Sequence, residues 1–208
     1  MLKKAVKQAE VISPIVQDGD PVLRGIALPV GNTDFGTKKL HSIITAMNEA
    51  LAREHDGVAI AAPQIGVPLR IFIVGRNAFA IEDEHKKNKK KGMEVPTPIK
   101  VIPKENMVAI NPEIIKLSRK KVKVPEGCLS VRWLYGNTMR SEKAMIRAYD
   151  EKGKLYTFGG SGLVAQIFQH ETDHLNGILF IDHATEIERL SDKEIAEVQA
   201  EAKKNSRS

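Results

Sequence analysis

The sequence predicts an α+β domain with mainly antiparallel short sheets around a central helix. One observation behind this prediction is a series of short segments rich in β-branched and aromatic residues, separated by Gly, Pro, Asn and Asp. The other is a pair of segments in which apolar residues recur every three or four positions, as on one face of a helix. With 208 residues, 42% of them hydrophobic, the chain is long enough for one domain, residues 1–208, with a buried core.

The first predicted helix follows an irregular segment, residues 11–32, that is rich in Pro, Gly and Asp. Thr33 or Asp34 can cap a helix that runs to about His55. Its apolar residues lie three and four positions apart and form one core-facing stripe, which indicates a packing role. These residues are Leu40, Ile43, Ile44, Met47, Ala50 and Leu51.

The strands are predicted from short runs of β-forming residues between turn signals. They are Leu69–Val74, Met107–Asn111, Ile114–Ser118, Lys120–Val124, Lys143–Tyr149, Leu155–Phe158 and Ile178–Ile181. The segment Asp150–Gly153 predicts a hairpin turn between the two strands that flank it.

A basic segment interrupts this pattern. The formal net charge is +6, and its clearest local source is the run Lys86–Lys91 within the polar segment Arg76–Glu105. We interpret it as a solvated loop insertion near residues 80–104, because little aromatic interleaving accompanies the charges and base stacking would need it. No specific nucleic-acid site is predicted.

The two ends of the chain predict neither a signal peptide nor a membrane anchor. Residues 1–10 carry charges throughout, and no apolar run approaches the roughly 20 residues that cross a bilayer. We therefore expect a cytoplasmic protein without a membrane partner. Ser191 and Glu194 form a capping-box signal for a charged C-terminal helix near residues 191–204.

The central helix carries the motif His-Glu-x-x-His. Leu163, Ile167, His170 and His174 step by four, three and four residues and share one helical face. Ser161 can cap the start of this helix, and Gly177 its end. Two imidazoles one turn apart can bind one divalent ion, and Glu171 beside them can act as a general base. The pattern indicates a metal-dependent hydrolase.

A catalytic site of this kind needs a third protein ligand. The metzincin pattern would place a histidine where this chain has Phe180, which cannot bind a metal. A thermolysin-like site would use a downstream glutamate, and nothing marks one of the candidates. Those candidates are Glu186, Glu188 and Glu194. Cys128, the one cysteine of the chain, is the remaining candidate, placed where a strand ending at Pro125 would turn and expose the thiol.

Four segments together resemble the peptide deformylase family. Glu126–Ser130 and Gln169–His174 resemble its second and third motifs, and Gly57–Gln64 is similar to its first motif, G-x-G-L-A-A-x-Q. Asp20–Arg24 resembles the start of the family's domain. The four segments occur in the family's order, from about residue 18 to residue 183.

The resemblance implies a site and a reaction. Cys128, His170 and His174 would bind one divalent metal ion, with Fe(II) as the native ion and Zn(II) or Ni(II) as substitutes. Glu171 would be the general base, while the Gln64 side chain and the Leu129 backbone N–H would stabilise the oxyanion. The substrates would be N-formylmethionyl peptides, and the ribosome near its exit tunnel would be a further partner. The substrate-binding residues would be Gly57, Val58, Ala59, Ile60, Leu163, Gln166 and Ile167.

The chain departs from the family pattern in three places. Ala59 replaces the second glycine of the first motif, and Ile60 replaces its leucine. Gln166 stands where an apolar residue usually lines the methionine pocket, and Val131–Gly136 departs from the usual continuation. Two other functions therefore remain alternatives: a metallo-endopeptidase or other amidase with the same motif, and a basic binding module with impaired catalysis.

Overall fold

Two antiparallel sheets and the helices around them form the described part of the protein. The structure, a computed structural model, describes residues 15–81, 103 and 105–205, with side chains as far as residue 200. The strands are β1 (Ala59–Ala61), β2 (Ile71–Val74), β3 (Met107–Leu117), β4 (Lys121–Gly127), β5 (Leu134–Ser141), β6 (Lys143–Tyr149), β7 (Leu155–Ser161) and β8 (Thr185–Arg189). The first sheet has the strand order β1-β2-β3-β6-β7, and the second has the order β4-β5-β8. The main helices are α1 (Lys38–Arg53), α2 (Gly162–Leu175) and α3 (Asp192–Asn205).

Around strand β2 the five-stranded sheet is covered on both faces. Ile71 and Ile73 pack in the cluster that contains the stripe of α1, whereas Phe72 and Val74 pack with α2. Alternate side chains of a strand point to opposite faces, so α1 and α2 lie on opposite sides of the sheet. All four residues of β2 are fully buried, which explains why this strand is apolar throughout instead of alternating.

Helix α1 confirms the predicted stripe and corrects its start. All six stripe residues are buried. The N-cap is Thr37, whose hydroxyl accepts a hydrogen bond from the Leu40 N–H at 3.3 Å, and not Thr33 or Asp34. Asn32–Asp34 forms a separate 3-10 turn. The earlier polar residues therefore belong to the approach to the helix.

The observed strands differ from the predicted ones mainly at their ends. The two segments from Met107 to Ser118 form one strand, β3, whose register against β6 shifts twice. Strand β4 continues through Pro125 to Gly127, so the predicted end at Pro125 is wrong. Strands β1, β5 and β8 were not predicted, because they are very short, contain Gly and Asn, or are exposed throughout.

The predicted strand Ile178–Ile181 is wrong. Leu179 and Phe180 instead lie in a small buried cluster with Leu23, and a 3-10 turn starts at Phe180. Asp182 closes this turn by accepting a hydrogen bond from the Leu179 N–H at 2.9 Å. The apolar run reflects burial of a turn and not pairing in a sheet.

Two peripheral segments complete the description. Residues 76–81 are helical, with Ala78 and Phe79 buried, so a helix leads into the loop insertion predicted near residues 80–104. Most of the basic insertion, including Lys86–Lys91, lies outside the described residues. Helix α3 begins at the predicted capping box, where the Ser191 N–H donates to Glu194 at 2.8 Å. None of the described helices combines the length and apolar character needed to cross a membrane.

Candidate metal centre and substrate cleft

Three possible metal ligands meet where the end of β4 faces helix α2. Cys128 follows β4 directly, and His170 and His174 lie one turn apart on α2. Cys128 Sγ is 3.2 Å from His174 Nε2, and the ligand atoms of all three residues lie within 4.8 Å of one another. A tetrahedral ion with S and N ligands would hold them roughly 3.3–3.7 Å apart. Small side-chain adjustments would therefore let the three residues hold one ion.

The electrostatic environment also suits a cation. Burial opposes charge on His170, but contacts with Cys128 and Glu126 raise the pKa of His170 well above its usual value. Burial, followed by the nearby charge of His170, lowers the pKa of His174 well below its usual value. The surroundings of the two histidines therefore favour one positive charge beside Cys128, and a bound divalent ion would supply positive charge at this point.

A buried ion network that sequence reasoning missed supports His170. Its Nδ1 atom lies 2.6 Å from Oε1 of Glu126, which leaves Nε2 for the metal site. Arg140 donates to both carboxylate oxygens of Glu126 at 2.6 and 3.0 Å, and to Asp173 at 2.6 Å. Burial favours protonation of Glu126, yet hydrogen bonds from His170 and Arg140 hold its pKa well below the usual range. Glu126 belongs to the quoted second motif, but Arg140 lies on β5, which had no sequence signal.

Glu171 lies beside the two histidines and is almost fully buried. Its Oε2 atom makes no hydrogen bond with the described protein atoms. Burial raises the pKa of Glu171 to about 7. A carboxyl group with a pKa near neutrality can both accept and return a proton, as a general base and acid must.

Gln64 lies just after β1 of the five-stranded sheet, and its side chain reaches the same centre from that side. Its side-chain oxygen accepts from the Ala61 N–H at 2.8 Å, which orients the amide. Its Nε2 then donates to Ser130 Oγ at 3.2 Å and lies 3.6 Å from Cys128 Sγ. Leu129 lies between Cys128 and Ser130 in the sequence and lines the same cleft. The predicted oxyanion donors are thus adjacent to the predicted ligands.

The cleft beside this centre has a volume of about 500 Å³. Six of the seven predicted substrate residues line it. They are Gly57, Val58, Ala59, Leu163, Gln166 and Ile167. Ile60 does not, because alternation along β1 turns its side chain into the core beneath α1, where it is fully buried. Its replacement of leucine therefore affects packing and not the cleft wall.

Gln166 lines the cleft and has a hydrogen-bond partner. Its Nε2 donates to the backbone oxygen of Pro125 on β4 at 2.8 Å. The amide therefore joins α2 to β4, at the edge of the second sheet. This hydrogen bond offsets part of the solvation free energy that is lost when an amide lies in a largely apolar cleft.

Part of the cleft wall comes from Val131–Gly136, the segment whose sequence departs from the family pattern. Arg132, Trp133, Leu134 and Tyr135 all line the cleft. The sequence signal for these residues was only their departure from the usual continuation. The turn that follows Cys128 brings these residues to the site. In this turn the Val131 N–H donates to the Cys128 oxygen at 3.1 Å.

Sequence comparisons place the chain among peptide deformylases. The family profile described as polypeptide deformylase matches residues 12–190. A peptide deformylase of Mesorhizobium japonicum is 35% identical over 180 residues, which are 86% of this chain and 87% of that protein. Another, from Halothermothrix orenii, is 39% identical over 171 residues, covering 81% of this chain and 91% of that protein.

A structural comparison gives the same result. The Met-Ala-Ser-bound crystal structure of the class I type b peptide deformylase from Acinetobacter baumannii has a TM-score of 0.66 and 31% sequence identity. The similarity covers 83% of this chain and 99% of that one. The antiparallel α+β architecture is therefore shared with a deformylase of known structure.

Proposed function

The chain belongs to the peptide deformylase family, metal-dependent hydrolases that remove the N-formyl group from nascent peptides, and we propose how its own residues perform this reaction. The observation that carries the proposal is the meeting of Cys128, His170 and His174 within 4.8 Å of one another, beside Glu171 in a cleft. In this proposal α2 is the metal-bearing helix of the fold. The alternative patterns supply no third ligand here: Phe180 has an apolar side chain buried in a core cluster, and Glu186 pairs with Lys123 at 2.6 Å.

The ion itself is proposed as Fe(II), with Zn(II) or Ni(II) able to take its place. One thiolate and two imidazoles suit each of these ions. When bound, such an ion supplies Lewis-acid activation of water and of the formyl carbonyl. Glu126 and Arg140 would keep His170 in the orientation and tautomer that binding requires.

Glu171 is the proposed general base. It would accept a proton from the attacking water and later deliver it to the amine of methionine as formate leaves. Its burial and its pKa of about 7 suit both transfers near neutral pH. The Gln64 amide and the Leu129 N–H would stabilise the negative charge that develops on the formyl oxygen. One such donor typically contributes about 3 kcal/mol to lowering the barrier.

The peptide would lie extended between two strands. Strand β1 is at the edge of the five-stranded sheet, and β4 is at the edge of the three-stranded sheet. Both strands contribute residues to the cleft, so an added strand could use their main-chain groups. We place the methionine side chain against Leu163, Gln166 and Ile167. The Acinetobacter baumannii structure carries Met-Ala-Ser, a peptide of the kind that deformylation would release.

Formylated peptides emerge from ribosomes, so we propose that the protein acts in the cytoplasm and meets its substrates near the ribosomal exit tunnel. The alternatives from the sequence make different predictions. A metallo-endopeptidase would share the metal and Glu171 but would cleave internal bonds. A binding module with impaired catalysis would bind peptides without releasing formate.

Three substrates separate these functions. The Fe(II)-loaded protein is incubated with formyl-Met-Ala-Ser, acetyl-Met-Ala-Ser and an unmodified unfolded protein. We expect formate from the first substrate and no cleavage of the other two. Fragments of the unmodified protein would instead indicate an endopeptidase, and absence of formate from a metal-loaded preparation would contradict the proposed mechanism.

A further inference from the structure

The cleft has two walls that come from distant parts of the chain. One wall is the end of α1 and strand β1, and it includes Asp56 and Gly57. The other is the segment that follows Cys128 and includes Arg132 and Trp133. Near the metal site the walls are joined by the neutral hydrogen bond from Gln64 to Ser130 at 3.2 Å.

A second connection joins the walls away from the metal site, and it is ionic. Arg132 donates to Asp56 at 2.6 and 3.0 Å and to Glu54 at 2.6 Å. Its side chain is only 17% exposed, and its guanidinium lies 4.8 Å from the ring centre of Trp133. Planar, charge-assisted contacts of this kind define both distance and orientation.

The carboxylate side of this connection is attached to a close-packed wall. A Cβ atom at Gly57 would lie 2.9 Å from Leu51 Cδ1, so this residue is in tight contact with α1. The Gly57 oxygen also accepts from Asn77 Nδ2 at 3.1 Å. Movement of Glu54 or Asp56 would therefore carry the first substrate-binding residues with it.

The arginine side is also braced. Gln17 accepts from the Arg132 N–H at 3.4 Å and donates to the Leu129 oxygen at 3.0 Å. The Trp133 oxygen accepts from the Leu190 N–H at 3.1 Å. Arg132 thus extends from a segment that is anchored on both sides of it.

We propose that Arg132 is a positioning residue that sets the width of the cleft beyond the methionine site. Through Glu54 and Asp56 it holds the wall that begins at Gly57 against the wall that carries Trp133. In the binding mode proposed above, peptide residues that follow the methionine would contact both walls, so their binding would depend on this distance. The inference rests on the proposed function only for the direction in which the peptide lies.

The test compares a short and a longer neutral substrate in the metal-loaded enzyme. For Arg132→Ala we expect KM for formyl-Met-Ala-Ser amide to rise about tenfold, with kcat changed less than KM, because the group acts on binding away from the reacting bond. KM for formyl-Met amide, which ends at the methionine, should change by less than about twofold. Arg132→Lys should recover part of the loss, since one ammonium can pair with only one carboxylate at a time.

Arg147→Ala is the matched control. Arg147 pairs with Glu113 at 2.7 Å on the exposed sheet surface, so this variant loses an ion pair away from the cleft. It should leave KM for both substrates unchanged. Added salt should also raise KM of the wild type for the longer amide but not that of Arg132→Ala, because salt screens partly exposed ion pairs.

Equal effects of Arg132→Ala on both substrates, or a lower melting temperature with unchanged KM, would overturn the proposal. Binding of the product amide Met-Ala-Ser, measured by calorimetry, gives an independent result that needs no turnover. A tenfold weaker Kd in Arg132→Ala supports the positioning role even if the wild type released no formate. Unchanged product binding refutes it, whereas loss of formate release in the wild type contradicts only the proposed function.

Discussion

Nδ1 of His170 lies 2.6 Å from Oε1 of Glu126, and this contact orients a proposed metal ligand through a buried carboxylate. Arg140 donates to the same carboxylate at 2.6 and 3.0 Å. The three residues come from α2, β4 and β5, so the orientation of His170 depends on the helix and on the three-stranded sheet. Several measurable consequences depend on this arrangement and on its neighbours.

Replacing Glu126 should weaken the metal site. Glu126→Gln removes the charged acceptor of His170, so we expect metal affinity to fall about 10–100-fold. It also leaves the guanidinium of Arg140 with one carboxylate, Asp173. Competition with a coloured chelator measures the affinity. Glu113→Gln, which changes an exposed ion pair, is the control. Equal metal affinity in Glu126→Gln and Glu113→Gln would argue against this role of Glu126.

The stabilisation that Glu126 gives to the metal-free protein should be lost in acid. Although burial favours its protonation, hydrogen bonds from His170 and Arg140 keep the pKa of Glu126 in the folded state well below 4.5. The unfolded state therefore takes up a proton first as pH falls. This stabilisation is fully present above about pH 4.5 and is lost as pH falls towards the folded-state pKa.

Urea unfolding between about pH 3 and pH 6 measures this dependence. We expect the free energy of unfolding of metal-free wild-type protein to fall more steeply with acid than that of Glu126→Gln. Parallel curves for the two proteins would show that another group dominates.

Glu171→Gln tests whether this carboxylate is the base or orients a ligand. The variant keeps Cys128, His170 and His174, so a general base predicts full metal content and a loss of about 10²–10⁴-fold in kcat, with a smaller change in KM. An orienting role predicts weaker metal binding with an active remaining holoenzyme. Metal content and kcat are measured on one preparation. Near wild-type turnover by fully loaded Glu171→Gln would refute the base.

Gln166→Leu should make the methionine site more apolar. The substitution replaces an amide in the cleft wall with a side chain that favours the methionine thioether, so we expect KM for formyl-Met peptides to fall about twofold to fivefold. Its cost is the solvent-exposed hydrogen bond to the Pro125 oxygen, which a hydrogen bond from water can replace. Steady-state kinetics with formyl-Met-Ala-Ser measures KM. An unchanged or higher KM would place Gln166 in a structural role, as a link to β4.

Removing a proposed ligand should release the metal. Cys128→Ala and His174→Ala should each lower metal content per chain after dialysis, because two ligands hold the ion less tightly than three. Glu186→Gln should retain it, since that carboxylate contacts Lys123 and not the site. Elemental analysis gives the stoichiometry. Unchanged, tight metal binding by Cys128→Ala would show that the third ligand is wrongly assigned.

Much of the site could be predicted because its residues lie in short, local patterns. His170, Glu171 and His174 are one helical turn apart, so the period of the helix alone brings them together. Cys128 and Gln64 were assigned through their motifs, and the fold brings both side chains to the same point. Strand β6 was predicted with its observed bounds, since it alternates and ends at clear turn signals.

Other features depend on neighbours that the local sequence does not show. Strand β5 is stabilised by its pairing with β4 and β8, and the role of Arg140 on it depends on the contact of its side chain with Glu126 on β4. Ile178–Ile181 has the composition of a strand, yet burial of Phe180 beside Leu23 makes it a turn. Ile60 was assigned to the cleft, and the direction of alternation in β1 turned it to the core.

The candidate chemistry could be predicted from the sequence, because two possible metal ligands and a possible base lie close together on one helix, and the motifs occur in a family's order along the chain. How this site is supported and how its cleft is bounded depend on the folded structure. The contacts of Arg140 with Glu126 and of Arg132 with Asp56 join residues 14 and 76 positions apart. Such pairs form only after strands and helix ends have packed, since ionic contacts depend on distance in space and not on spacing along the chain.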